Sequence, residues 1–378
     1  MRKAKLSFFR TLAEAQKLKL GWVKKSFAYK RLLIYYFSGT GNAKRAAEWI
    51  VDEANKKGLK TQLLNIAKLQ KESILPLTES TLIGFCYPTH GFNAPPILLR
   101  FLMQFPQSKF RNNVFVLNTR AGMKMSKIFT PGISGLAQIL PALILRSKGF
   151  RLVGYRPIDL PSNWISVHPG LKESVVKSIF ARCERITKRF SKRILSGKKV
   201  YRGLFDLPID ILISPIALAY YFYGRFILSK TFIATNACDQ CGLCIRDCPV
   251  NAISMVNEKP YWSYNCESCM HCMNYCPQRA IETPHAFTAL VWWIAYTVLP
   301  GFILYLLHKQ NVFGFAENEN WHIAIRYFSE IVLGTAFIFG AYKLLHALLK
   351  YSFVNKLLVF TSLTSFKWWR RYRTPDKV

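Results

Sequence analysis

This sequence is short of acid. Only 20 Asp and Glu stand against 53 Lys and Arg, a formal net charge of +33. Such an imbalance excludes a surface that repels anions and points to an anionic partner: nucleic acid, an acidic protein or an anionic lipid surface. Nucleic acid fits poorly, because its binders spend their length on polar surface, whereas here 51% of residues are hydrophobic and 15% aromatic. The expected partner is therefore an anionic membrane surface, with no nucleic acid. Also lacking, within residues 1–30, is an apolar stretch long enough for the core of a secretory signal. Cations there interleave with Phe8, Phe9, Leu12, Leu18 and Leu20, opposed only by Glu14. That pattern suits an amphipathic helix on a membrane surface or a solvated basic arm. Disulfides are a further expected absence: eight of the ten cysteines fall in two tight groups with metal-ligand spacing, which argues for a reducing compartment.

What is present divides the chain. Residues 31–199 alternate short apolar strands with helical stretches, the mark of an α/β domain with a parallel sheet covered on both faces. Strands are predicted at 32–37, 61–65, 82–87, 114–118 and 152–158, with helices at 43–57, 95–104, 126–147 and 171–197. Residues 200–232 form an apolar connector interrupted by Asp206, Pro208, Asp210 and Pro215, and 233–285 hold the cysteines. An apolar hairpin follows over 286–350, and 351–378 form a basic, interfacial tail.

The cysteines occur as a repeat. Cys238-x-x-Cys241-x-x-Cys244-x-x-x-Cys248-Pro249 is matched by Cys266-x-x-Cys269-x-x-Cys272-x-x-x-Cys276-Pro277. Structural zinc also uses paired C-x-x-C, but it does not call for a repeated four-cysteine run closed by proline. Two [4Fe–4S] clusters do, and in two-cluster ferredoxins the fourth cysteine of each run ligates the other cluster. Cys238, Cys241, Cys244 and Cys276 are thus assigned to one cluster, and Cys266, Cys269, Cys272 and Cys248 to the other. Cys86 and Cys183 read as small buried apolar residues.

The first predicted strand runs directly into Ser38-Gly39-Thr40-Gly41-Asn42-Ala43 and then a helix. Backbone N–H groups of such a loop, with the helix N-terminus, cradle a phosphate. The loop has neither the lysine of a triphosphate site nor the G-x-G-x-x-G spacing of a dinucleotide site, so a terminal phosphomonoester such as that of FMN fits best.

With both motifs in hand, residues 31–285 resemble the family of anaerobic flavodoxin–ferredoxin fusion proteins. The resemblance implies a flavodoxin-like, doubly wound sheet of order 2-1-3-4-5, joined to a small bacterial-ferredoxin-like module. Flavodoxins carry a hydroxyl residue where this chain has Ala43, so one phosphate contact is missing. By position in that fold, the loops Pro88-Thr89-His90-Gly91-Phe92 and Thr119-Arg120-Ala121-Gly122 should hold the flavin ring. Phe92, Tyr87 or Trp164 are candidates to stack on it.

Apolar stretches at 289–307 and 331–349 are long enough to span a bilayer as C-terminal transmembrane helices. Seven cations follow the second, while Lys309 and Arg326 are the only ones between the two. The positive-inside rule then puts the cofactor domains on the cytoplasmic side of the cytoplasmic membrane. A b-type haem between His285 and His346 is geometrically allowed. The function expected is electron transfer between FMN, the clusters and a redox partner protein or quinone-like membrane acceptor. Direct flavin-dependent reduction of an organic substrate is an alternative, as is a redox-sensing membrane anchor.

Overall fold

The computed structural model describes residues 29–69, 76–309 and 319–375. Most of the N-terminal basic segment, and residues 310–318 of the loop between the two C-terminal apolar stretches, lie outside them.

The first domain is built from β1 (Arg31–Tyr36), α1 (Asn42–Asn55), β2 (Lys60–Asn65), β3 (Thr81–Pro88), α2 (Pro96–Gln104), β4 (Asn113–Met125), β5 (Ile128–Thr130), α3 (Leu136–Ser147), β6 (Arg151–Pro161) and α4 (Glu173–Leu195). Five strands pair in parallel in the order β2-β1-β3-β4-β6. These are the five expected strands in the expected order, and the short β5 is an antiparallel addition to the end of β4. Successive side chains of a strand face opposite ways. Leu32 and Ile34 of β1 accordingly join Ala46, Ile50 and Phe180 on one face, while Leu33 and Tyr35 join Leu98, Leu102 and Leu145 on the other. The strand β3 is apolar almost throughout because both its faces are covered.

One element differs from expectation. The helix predicted over 126–147 begins only at Leu136. Ten residues of β4 pair with β6, which carries β4 through Gly122 and on into a hairpin with β5. Pro131 and Gly132 then turn the chain, and a Cβ at Gly132 would lie 2.6 Å from the Ala121 carbonyl oxygen. Helix formation has to wait until that contact is passed.

The connector is helical over Arg202–Leu212 and Ser214–Ser229, with a bend of 76° between the two pieces. Pro215 explains the bend, since its ring excludes the carbonyl four residues back and it has no N–H to give. The acids that interrupt the apolar run dock it. Asp206 pairs with Arg120 at 2.7 Å, and buried Asp210 accepts hydrogen bonds from the N–H groups of Ser134 (3.1 Å) and Gly135 (2.7 Å). Its second half packs elsewhere: Ile227 clusters with Ala295 and Ile338, and the Tyr223 hydroxyl bonds Tyr296 and Thr335.

The cysteine-bearing module is made of two short antiparallel pairs, Ile233–Ala234 with Ile281–Glu282, and Ile253–Val256 with Lys259–Trp262. The internal repeat is visible in its backbone. Left-handed residues Gln240, Gly242 and Asn251 recur as Ser268, Met270 and Arg279, the same offset that relates Cys238 to Cys266. The core is continuous with that of the first domain, running from Phe180 and Ile165 to Trp262, Met270, Met273 and Ile281.

Two helical stretches, His285–Ile303 and Tyr327–Leu348, are long and apolar enough to cross a membrane. The first contains a π turn at Ile294–Val298, where Pro300 forbids the ordinary hydrogen bond and a wider turn absorbs the ring. Residues 363–375 then return to the cofactor-bearing domains. Trp369 Nε1 donates to the Ile165 carbonyl at 2.6 Å, and Arg371 pairs with Glu282 at 2.8 Å. His285 and His346 bond the carbonyls of Ser166 (2.9 Å) and Pro260 (3.2 Å), and the second nitrogen of His285 accepts from the Leu363 N–H. Both imidazoles are thus engaged as ties to backbone carbonyls.

The docking of the connector is testable. Asp210→Ala strands two buried N–H donors at a cost of about 1–3 kcal/mol each. Thermal unfolding of the detergent-solubilised chain should shift down accordingly, and Asp210→Asn, which keeps an acceptor, should shift it less.

Candidate flavin and cluster sites

Between β1 and α1 the chain turns through Ser38–Gly41. Gly41 sits at φ 100°, a left-handed conformation that glycine adopts without strain, and no side chain caps the helix that follows. The first N–H groups of α1 therefore have no partner within the helix and present positive potential. They border a cavity of about 220 Å³. Thirteen of the fifteen predicted flavin-site residues line it: Ser38, Gly39, Thr40, Asn42, Ala43, Pro88, Thr89, His90, Gly91, Phe92, Thr119, Arg120 and Ala121. Gly41 instead faces Thr374, and Gly122 lies against the Asp159 backbone. Tyr87 is no stacking candidate, because it is wholly buried and its hydroxyl donates to the Ala137 carbonyl at 2.8 Å. Trp164 does line the cavity.

Tyr220, His168, Ser268 and Ile133 also line the cavity and were not foreseen. Tyr220 comes from the connector, packs edge-on against Trp164 at 5.8 Å and covers Gly91, where an added Cβ would fall 2.0 Å from its ring. It sits in a Tyr-Tyr-Phe-Tyr run whose spacing gives no hint of which ring turns inward. His168 bonds Ser162 at 2.6 Å, and Ser268 comes from the second cysteine run. Two buried polar atoms of lining residues, Ser268 Oγ and His90 Nδ1, have no hydrogen-bond partner among the described residues. A polar ligand would satisfy both, so the cavity fits a flavin with its phosphate on the loop.

Arg120 is not free to bind phosphate. Its buried guanidinium lies between Asp159 (2.6 Å) and Asp206 (2.7 Å), so it fixes the connector to the sheet. His90 turns its loop through reciprocal backbone bonds with Asn93. Burial pushes its imidazole down to about 4, so it is neutral at physiological pH.

The eight repeated cysteines gather around two cavities. One is lined by Cys238, Cys241, Cys244, Cys272 and Cys276, the other by Cys244, Cys248, Cys266, Cys269 and Cys272, so that Cys244 and Cys272 border both. The fourth cysteine of each run thus stands with the other run's three. No three ligating side chains among the described residues converge tightly enough for a single ion. Burial pushes the thiols of Cys244 and Cys266 up to about 11 and about 12, so charged sulfur is favourable here only beside a cation such as iron.

The two sites share a wall. A Cβ on Gly39 would lie 2.5 Å from the Cys269 carbonyl oxygen, so the phosphate loop and the second run are in backbone contact. His271 Nδ1 donates to the Gly39 carbonyl at 2.6 Å, which fixes its tautomer, and the Tyr275 hydroxyl donates to the Thr40 carbonyl at 3.1 Å.

Residues 34–125 match the flavodoxin family model, and residues 237–281 match the model of the 4Fe–4S dicluster domain. The chain is a flavodoxin–ferredoxin fusion. Among solved structures, flavodoxin 1 from Bacillus cereus is similar at 18% identity over 43% of this chain and 97% of that one, with a TM-score of 0.28. Rubredoxin oxygen:oxidoreductase from Desulfovibrio gigas is similar at 12% identity over 44% of this chain and 36% of that one, also at 0.28. No curated protein matches. The flavodoxin domain implies FMN and the dicluster domain implies iron–sulfur, which makes the fusion an electron-transfer flavoprotein.

The state of His90 gives the fusion a pH signature. Its folded value of about 4 lies below the ordinary 6.5, so the unfolded chain takes up this proton first. The stabilisation is complete above about pH 6.5 and is lost as pH falls toward 4. The thermal midpoint of the His90→Gln variant should therefore fall less steeply over that window than that of the parent chain.

Proposed function

We propose that this protein is a membrane-attached electron relay in which FMN, two [4Fe–4S] clusters and a membrane-held acceptor exchange electrons within and beside one chain. The observation that carries this reading is the shared wall: Ser268, between two cluster cysteines, lines the flavin cavity, and Gly39 touches Cys269. When bound, FMN handles one or two electrons and each cluster passes one. The work of the protein is placement. The loop Ser38–Ala43 holds the phosphate, Tyr220 and Trp164 wall the ring, and Cys266, Cys269, Cys272 and Cys248 bring the nearer cluster against that wall. Cys238, Cys241, Cys244 and Cys276 hold the second cluster farther along the module. Fusion in one chain keeps the partners at high effective concentration.

The two candidate spans anchor the relay, with the cofactor domains on the cytoplasmic side where basic residues flank the helices. The connector supports this arrangement. It packs on both spans through Tyr223 and Ile227 and bends by 76° near Pro215; on this reading it turns back and leaves both cofactor sites on one side. A quinone-like molecule or an integral-membrane redox protein is the proposed acceptor or donor.

Anaerobic purification in detergent should yield about one FMN and about eight iron per chain, the content of one flavin and two cubanes. Crossed ligation adds a sharper test. Cys276→Ser should perturb the same electron paramagnetic resonance signal as Cys238→Ser, and Cys248→Ser the same signal as Cys266→Ser. Pairing within each run would contradict the assignment.

A further inference from the structure

The phosphate loop is held on its outer side by the far end of the chain. After the second candidate span and the helix Ser352–Phe360, the backbone passes the flavodoxin domain, where the Gly170 N–H donates to the Arg370 carbonyl at 2.9 Å. The Tyr372 N–H donates to Asn274 Oδ1 at 2.8 Å, which seats the tail on the ferredoxin module. From there the tail reaches the loop twice and the first turn of α1 once. The Tyr372 hydroxyl donates to Asn42 Oδ1, the Thr374 hydroxyl donates to the Thr40 carbonyl, and Arg45 of α1 donates to the Pro375 carbonyl at 2.7 Å. Tyr372 is buried, and a Cβ at Gly41 would lie 2.6 Å from Thr374 Oγ1, so nothing separates tail and loop.

These contacts decide what the loop can do. Asn42 gives its amide N–H to the Pro161 carbonyl at 2.9 Å, and its oxygen faces the tail. The Thr40 hydroxyl accepts from Asn163 at 2.6 Å, and Ser38 Oγ accepts from the Gly41 N–H at 3.0 Å. Asn42 is thus tied back to protein, whereas the Ser38 and Thr40 hydroxyls accept these bonds and keep their own O–H to give, so the loop offers a phosphate those two hydroxyls and its backbone N–H groups. Their direction depends on the loop keeping this shape, and Ala43 adds no hydroxyl to compensate.

We propose that the C-terminal tail is a strap that sets the phosphate loop for the flavin phosphate, with Tyr372 and Thr374 as its positioning residues. Flavin affinity is then coupled to the seating of the membrane hairpin, because the second span delivers the strap. The inference rests on reading Ser38–Ala43 as the FMN loop. Linkage makes the coupling reciprocal: a seated tail tightens FMN, and bound FMN holds the tail.

The test uses the full chain in detergent, kept anaerobic, with FMN titrated by fluorescence quenching. Loss of one net hydrogen bond, as in Thr374→Val or Tyr372→Phe, should weaken FMN about fivefold, and the double variant by about tenfold or more. Thr374→Ser, which restores the hydroxyl, should recover the parent affinity, and iron and sulfide content should stay unchanged in every variant. FMN should also slow the removal of the tail by carboxypeptidase in the parent chain and less so in the double variant. An affinity of the double variant within about twofold of the parent, with the parent binding FMN, would overturn the strap and leave the flavin site standing. A parent chain that takes up no FMN would overturn both.

Discussion

A single missing side chain sets the spacing of the whole molecule. Gly39 has only hydrogen where any other residue would drive a Cβ into the Cys269 carbonyl. The phosphate loop and the second cysteine run can therefore meet backbone to backbone, and the two cofactor sites share a wall instead of a linker. His271 and Tyr275, one turn beyond Cys269 and Cys272, then grip the loop through the Gly39 and Thr40 carbonyls. The continuous core around Trp262, Met270 and Ile165 follows from that contact, since modules held this closely have no room for solvent between them.

In a chain so poor in acid, several of the few carboxylates stand at the joints. Asp206 and Asp159 hold Arg120 and fasten the connector to the sheet. Glu267 of the second cysteine run pairs with Arg100 of α2 at 3.1 Å, and Glu282 on the last strand pairs with Arg371 of the tail. Buried or half-buried pairs of this kind add little net stability over apolar packing, but breaking one leaves an uncompensated charge and costs several kcal/mol. Their value is in fixing which surface meets which, and here each one joins segments distant in sequence.

Much of this was legible in the residues. Strand alternation and the buried run of β3 gave the sheet its strands, and the repeated cysteine spacing marked the eight cysteines that border the two cavities. The resemblance to known fusions supplied the loops that line the flavin cavity. What could not be read was long-range. Asp206 and Asp210 look like interruptions of an apolar segment, and only the fold shows that they dock it. Tyr220 is one aromatic among four neighbours, and its inward turn depends on a bend produced by Pro215. Tyr372 and Thr374 lie in a tail that reads as basic and interfacial, and their partners are over three hundred positions away in the sequence. The late start of α3 has the same cause, because the pairing of β4 with β6 overrides local helix preference.

The claim on which the account rests most is that flavin and nearer cluster exchange electrons inside one chain. Flash reduction of the flavin in the purified, fully loaded protein, followed by bleaching of the iron–sulfur absorbance, tests it directly when repeated over a hundredfold range of protein concentration. The account predicts a first-order rate that does not change with dilution. A rate that falls in proportion to concentration would mean that electrons pass between molecules, and would contradict it.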